Sequence, residues 1–439
     1  MRERALRTAL SAAVVPILAL PALSHAQGLD LRATVERRVA SDDTSELAAQ
    51  LALLEAQQKA LADATSRLRE HPDVKALQIA PERLDAYLSG VLEPSPESVS
   101  ASPAGVARGS VVLKLDPSET ARRVARLRKD QDATRALVGL LEQRRNLERR
   151  LAEQTGARQR EQTVTDLRVT QLVTQVTVAL ARTEESAVSG RVVSADGIAR
   201  AGQLADAAIA LAPASAAAHL ALGDVLVARR QLPAAETEYR QALTTAPTSD
   251  VVRVKLGSVL SLQQKHADAA AEFREALKID PNSVRAHTSL GASLRAQRNP
   301  DAAMAAYRQA LRLDPDFIEA RNGLAVALAG QEKVAEAVVE FREIVRIDPD
   351  SAIGFYNLSF ALAELDKDEE SAAALREVIR INPNHFNARY NLGELFRMEG
   401  KFDEAAKQFR EYVKLAPDNA QNRQNIARAN EFVRTFENP

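Results

Sequence analysis

The sequence predicts an all-α protein: a solenoid of stacked helix pairs, preceded by an N-terminal helical region that includes a helical hairpin. Three observations predict it. Pro213, Pro247, Pro281, Pro315, Pro349, Pro383 and Pro417 recur at 34-residue intervals. In register with them, Leu222-Gly223, Leu256-Gly257, Leu290-Gly291, Leu324-Ala325, Leu358-Ser359 and Leu392-Gly393 repeat a step from large to small. Ala and Leu dominate the composition, and both favour helix at almost every position.

Each recurring residue type has a physical role. The Leu anchors the first helix of a pair, here helix A. The small residue after it lets helix B approach, because helix ridges interlock only where side chains leave room. Ala235, Ala269, Ala303, Ala337, Ser371 and Ala405 do the same from helix B. Four residues later, Tyr239, Phe273, Tyr307, Phe341, Leu375 and Phe409 fill the space between repeats. Proline cannot continue helix B, so the chain turns there into the next pair. One pair cannot bury its apolar face alone, whereas stacked pairs share a continuous core.

In period, position and residue size this pattern resembles the tetratricopeptide repeat family. The resemblance covers residues 216–419 as six units: 216–249, 250–283, 284–317, 318–351, 352–385 and 386–419. It implies a right-handed α-solenoid with a concave groove that binds a partner protein. Residues 187–215 read as a degenerate further repeat, with 195–213 as its second helix and Ala201 and Ala208 in the small slots. Residues 420–439 read as a capping helix, polar on one side through Gln421, Arg423, Gln424 and Arg428. The fourth position of helix A departs from the family's Trp or Leu. It holds His219, Arg253, His287, Arg321, Phe355 and Arg389, so more polar contacts between repeats are expected there.

The N-terminal region shows no such repeat. Residues 27–92 are expected to be helical, over 30–40, 43–70 and 73–91. Residues 93–110 (EPSPESVSASPAGVARGS) read as a flexible Pro/Ser linker. Residues 111–115 fit one short strand, after which Asp116-Pro117-Ser118-Glu119 opens a helix to about residue 154. A second helix occupies about 160–185. Within 111–186, Leu137, Leu140, Leu147 and Leu151 are expected to face Leu167, Leu172, Val176 and Leu180 as a hairpin. Arg144 and Gln154 break any regular coiled-coil heptad. Residues 121–160 hold twelve Lys and Arg against five acids. Such a run is most often a solvated helix face; the alternative is a binding surface through Arg122, Arg126 and Arg149, for an acidic partner or an anionic envelope component.

Arg2, Arg4 and Arg7 followed by the apolar run 9–23 and Ser24-His25-Ala26 read as a signal peptide, 1–26, cleaved before Gln27. The run is short for a membrane span, and Pro16 and Pro21 interrupt it. The expected location is the periplasm or cell envelope of a bacterium. With no cysteine, disulfides, thiolate metal sites and a catalytic Cys are excluded. A formal net charge of −1 gives no global attraction for nucleic acid. No aromatics interleave with the arginines of 121–160 for base stacking, so no nucleic acid partner is expected.

Enzyme signatures are missing: the phosphate-binding, dinucleotide, zinc-protease and serine-hydrolase motifs do not occur. The histidines are scattered. His219 and His287 occupy equivalent positions of two repeats, which fits packing better than zinc, whose ligands cluster. No cofactor, no metal and no catalysis are expected.

By the resemblance, positions 2, 5, 9 and 12 of each helix A line the groove. They include Asp224, Arg285, Thr288, Arg295, Glu319, Asn322, Tyr356, Phe360, Asn387, Tyr390, Glu394 and Arg397. Rigid aromatics give contact area at low entropic cost, and Asn hydrogen-bonds a peptide backbone whatever its sequence. The candidate partner-binding residues are Arg285, Asn322, Tyr356, Phe360, Asn387, Tyr390 and Arg397. Tyr356 and Tyr390, at equal positions, have the competing role of packing on each other between repeats. The carboxylate clamp of chaperone-binding members is absent, since its positions hold Leu220 and Asp224. Asn357 and Asn391 fall where O-linked N-acetylglucosamine transferases of this type carry an asparagine ladder. Only 20 residues follow position 419, too few for a catalytic domain. The expected function is that of an exported scaffold or adaptor holding a partner protein or extended peptide, in cell-envelope assembly. The alternative is a structural assembly factor acting through oligomerisation or envelope docking of the basic hairpin 111–186.

Overall fold

The computed structural model describes residues 29–102, 105–128, 131–181, 183–186, 190–192, 195–420 and 422–437; the segment 1–26, expected to be a signal peptide, lies outside them. Two units are distinguished: residues up to 183 with 191–245, and residues 246–439 with 184–190.

The first unit opens with a strand where a helix was expected. In β1 (Leu29–Arg38), Leu31 and Ala33 are buried while Arg32 and Thr34 are exposed, the period of two that a sheet imposes. Residues 93–110 are likewise not a linker. They form most of a hairpin, β2 (Ser95–Ser102) and β3 (Val106–Leu115), with Gly105 at φ +74° in its turn. The sheet has the order β1-β3-β2 and is antiparallel, pairing Leu29 with Leu115 and Ser95 with Val112. β2 is an edge strand, exposed along almost its whole length, and Pro96 is tolerated there.

One face of β3 packs on α1 (Ser45–Glu70), whose N-cap Thr44 accepts from the Leu47 N–H. Ala48, Ala52, Ala56, Ala60 and Ala64 recur every fourth residue and are at most 2% exposed. That stripe of small side chains lets the sheet lie close. A Cβ at Gly109 of β3 would fall onto the α1 backbone, within 2.5 Å of Leu53 Cα.

Next come a single turn, α2 (Pro72–Lys75), and α3 (Pro81–Val91). The helix expected from 116 to 154 is divided into α4 (Pro117–Leu127) and α5 (Gln131–Glu153), and α6 follows (Ala157–Ala179). α3 wedges against both α5 and α6 at Gly90, where a Cβ would meet Val178 and Leu137. Leu137 joins the core beneath the sheet with Val111, Leu113 and Leu88. Thr170, Thr174 and Thr177 of α6 return their hydroxyls to the carbonyls four residues back, 2.7–3.0 Å away, so Thr170 and Thr174 are buried without an unmet donor. Arg160 bonds Asp42 at 2.8 Å, Asp43 at 2.6 Å and the Thr155 carbonyl at 2.6 Å, tying the loop before α1 to the loop before α6.

The hairpin α5–α6 is not free-standing. Val169, Val173 and Val176 of α6 pack with Ala201, Ala205 and Ala208 of α7 (Ala195–Leu211) and Ala218, Ala221 and Val225 of α8 (Ala216–Ala228). Thus α6 acts as the A helix of the degenerate pair whose B helix is α7. Two short strands, β4 (Thr183–Ser186) and β5 (Gly190–Val192), lie between them in sequence. The unit ends with α9 (Leu232–Thr245), the B helix of α8; its Tyr239 ring lies on Gly223 and its hydroxyl donates to Asp224 at 2.6 Å.

The second unit is five helix pairs and a cap: α10 (Asp250–Leu262) and α11 (His266–Ile279), α12 (Val284–Ala296) and α13 (Pro300–Leu313), α14 (Ile318–Ala329) and α15 (Val334–Ile347), α16 (Ala352–Ala363) and α17 (Asp368–Ile381), α18 (Phe386–Met398) and α19 (Phe402–Leu415), then α20 (Arg423–Glu437). Ser249, Ser283 and Ser351 cap A helices by accepting an N–H three residues on. Between helix A and helix B the turn residue has positive φ each time: Gln264, Arg298, Glu332, Asp366 and Gly400.

The polar fourth position of helix A makes contacts different from those expected. Arg253 donates to Glu272 of its own helix B at 3.0 Å and to the Pro247 carbonyl behind it at 3.0 Å. Arg321 repeats this with Glu340 at 2.5 Å and Pro315 at 2.6 Å, and Arg389 reaches the Pro383 carbonyl at 2.8 Å. The cation ties a pair to its own entry turn rather than to the next pair. α20 closes the stack by placing Phe432 on Phe409, ring centroids 5.3 Å apart.

Candidate functional site

The A helices α12, α14, α16 and α18 carry the candidate groove residues at positions set by the 34-residue period. The leucines at position 7 of these helices, Leu290, Leu324, Leu358 and Leu392, are buried. The structure joins three of these helices by lateral hydrogen bonds. Asn357 donates from Nδ2 to Asn322 Oδ1 at 2.9 Å, linking α16 to α14. Asn391 donates from Nδ2 to the Tyr356 hydroxyl at 3.4 Å, linking α18 to α16.

Tyr356 sits at the centre of this row. Its ring is edge-on to Phe360, with centroids 5.0 Å apart and planes at 86°, and lies 4.7 Å from the His385 imidazole. Burial pushes the Tyr356 hydroxyl above its usual range, with the Asn391 hydrogen bond pulling the other way. Phe360 is 50% exposed and Ile353, about two turns away on the same helix, is 67% exposed. Ile353 belongs with the candidate residues: it occupies position 2 of α16, a place the positional rule already marks.

Not every candidate converges. Tyr390 does not pair with Tyr356; its ring packs on Phe409 and Tyr412, 5.7 and 5.0 Å away, and Arg428 of the cap reaches its hydroxyl. It is chiefly a packing residue. Arg397 is held by Glu394 on its own helix at 2.7 and 3.1 Å, so its fork is engaged. Asn387 is exposed, whereas Arg285 is half-buried on α12. Asp224, at a groove position, accepts the buried Tyr239 hydroxyl, and Thr288 donates to the Val284 carbonyl.

The alternative basic surface is partly consumed. Arg122 pairs with Glu119 at 2.9 Å, Arg149 is exposed on α5, and the Arg126 side chain lies outside the described residues. A cleft of 630 Å³ between α1, α3 and α5 contains Arg69, Asp85, Arg144, Arg145 and Glu148. Its charges answer one another, with Asp85 between Arg69 at 2.5 Å and Arg145 at 3.3 Å, and Arg144 on Glu148 at 2.8 Å. Among the described residues, no group of three or more His, Asp or Glu is placed to hold a metal, and no helix is long and apolar enough to cross a membrane.

Family models for the tetratricopeptide repeat match residues 193–250, 288–352 and 361–420, and a second such model matches 252–283. Residues 193–420 are tetratricopeptide repeats, and the chain is a member of that family through them. The N-terminal region carries no family match. No curated protein matches the chain. Among solved structures the chain is similar to YrrB, described as a TPR protein with an unusual peptide-binding site: 24% identity over 42% of this chain and 95% of that one, with a TM-score of 0.34. MamA is 21% identical over 36% and 93%, at 0.35, and pilF of Pseudomonas aeruginosa 20% over 43% and 93%, at 0.37. A repeat array of this family supports a protein-binding scaffold.

Proposed function

We propose that the chain is an exported adaptor of the bacterial cell envelope that holds an extended segment of a partner polypeptide against α14, α16 and α18. The observation that carries this reading is the row Asn322–Asn357 and Tyr356–Asn391 beside the exposed Phe360. The side-chain amides already hold one another in place, so a bound backbone meets preorganised donors and acceptors and less ordering entropy is lost. Export is supported by the basic, apolar and small-residue succession of residues 1–26.

A photo-crosslinking residue at position 360, compared with one at the outer-face position 407, tests the surface in cells of the source bacterium. Position 360 is expected to yield a discrete crosslinked polypeptide that is lost on Tyr356→Ala with Asn391→Ala. Crosslinks that form equally from position 407, or that come instead from position 149 on α5, would overturn the choice of surface. N-terminal sequencing of the protein from the envelope fraction tests export, with Gln27 expected as its first residue.

A further inference from the structure

The groove reading says where a segment lies; the side chains along it also say what that segment carries. Resting on that reading, we propose that the face selects an extended peptide with an apolar side chain and, about six residues away, a carboxylate.

The apolar half is α16. At positions 2, 5 and 9 it presents Ile353, Tyr356 and Phe360, one stripe along a helix at spacings of three and four. The corresponding residues are Arg285, Thr288 and Ala292 on α12, Glu319, Asn322 and Val326 on α14, and Asn387, Tyr390 and Glu394 on α18. None of those sets combines three large apolar or aromatic groups. The right angle between the Tyr356 and Phe360 rings makes a fixed corner, closed on one side by His385. The other exposed aromatics, Phe402 and Phe436, stack on each other with centroids 4.6 Å apart and cover the end of the array.

The charged half is Arg295, exposed at position 12 of α12. α12 contains no acidic residue. The hydroxyl of Tyr307 meets the Arg295 guanidinium, and burial keeps that hydroxyl protonated, so it orients the cation without neutralising it. Between Arg295 and Phe360, positions 9 and 12 of α14 and position 12 of α16 hold Val326, Ala329 and Ala363. The path is uncharged and low. The acids of the face lie elsewhere: Glu319 at the opposite end of α14, and Glu394 bound to Arg397 on α18.

Adjacent packed helices lie about 10 Å apart, so α12 to α16 spans roughly 20 Å. An extended chain advances about 3.3 Å per residue, which places the carboxylate about six residues from the anchor. A guanidinium fork receives a carboxylate through two parallel hydrogen bonds, which fixes its position along the path. Asn322 and Asn357 lie beside the same stretch, where the backbone of the segment would pass.

The test is fluorescence anisotropy of the full chain with synthetic peptides bearing one Phe and one Asp in a Gly/Ser background, at separations of three, six and nine and in both orders. The separation of six is expected to bind tightest, by about tenfold over its Asp→Lys counterpart, a difference of about 1.4 kcal/mol. Arg295→Glu should transfer the preference to the Lys peptide, and Phe360→Ala should weaken every peptide; both residues are exposed, so circular dichroism should stay unchanged. Binding that depends on Phe360 but ignores the Asp, or its separation, would overturn this inference and leave the groove reading standing. Binding indifferent to Phe360→Ala and to Tyr356→Ala would overturn both.

Discussion

Gly291 of α12 lies under the ring of Tyr307: a Cβ built on it would stand 2.8 Å from Cε1 and 2.9 Å from Cδ1. The same ring leans on Gly323 of the following A helix, so one tyrosine occupies the crossing of three helices. Gly291→Leu is expected to destabilise the array by about 1–3 kcal/mol, because an overfilled crossing must displace its neighbours. Gly291→Ala should shift stability by less than about 1 kcal/mol, since the helix propensity gained offsets a small ring movement. Ala325 already occupies the equivalent slot, fully buried. Chemical denaturation followed by circular dichroism measures both, and equal losses would argue against this packing.

Gly109 makes the corresponding contact in the first unit, but against backbone. A tyrosine ring can tilt; the main chain of α1 at Ala52 and Leu53 cannot move without shifting the helix. Gly109→Ala is expected to cost more than Gly291→Ala, about 2–3 kcal/mol, although both add one methyl group. Hydrogen exchange of β3 and α1 amides reads the loss locally. Unchanged protection would mean that the sheet does not lie on α1 as described.

The turns between A and B helices predict a gain. Glu332 has φ +60° and Gln264 +64°, whereas the corresponding residue of the last pair is Gly400 at +75°. An L side chain in this region costs roughly 1–2 kcal/mol, part of which glycine returns through the greater freedom of its unfolded chain. Glu332→Gly should therefore raise stability by about 0.5 kcal/mol, and Gly400→Ala should lower it by about 1 kcal/mol. Opposite signs in urea midpoints are the expected outcome.

His385 caps α18 where three other A helices of the second unit use serine. Its Nδ1 accepts the Ala388 N–H at 3.1 Å, which requires an unprotonated nitrogen. Burial, in part against the Tyr356 ring, lowers its pKa below the ordinary histidine value. The folded state thus favours neutral His385. The stability this gives is fully present above about pH 6.5 and is lost as pH falls through the depressed value. His385→Ser should flatten the decline in thermal stability between about pH 7 and 5 relative to the unaltered chain. An identical pH profile for the two proteins would remove His385 as its source.

The repeats were legible because their signal is redundant. Proline, the small slots and the aromatic recur at one spacing, and each alone sets the register. The sheet was not. LDLRATVERR is only ten residues long, and its pairing with β3 depends on a partner far along the chain. β2 is so exposed that its Ser and Pro content reads as a loop. At the candidate site, the neighbouring placement of Tyr356 and Phe360 followed from position. The withdrawal of Tyr390 towards α19 and the cap did not, because it depends on where α20 packs. The Glu394–Arg397 pair was readable in principle, since residues three apart are neighbours on a helix.

The pairing of Leu29 with Leu115 bears on how the chain acquires its structure in time. β1 has no mate until β3 exists, and closing so long a loop costs entropy before any contact rewards it. Each repeat, by contrast, completes its own helix pair from residues close in sequence. High contact order slows folding and local contacts speed it. The sheet of the first unit is therefore expected to form more slowly than any repeat. Until β3 is in place, the Ala-lined face of α1 that it covers stands open to solvent.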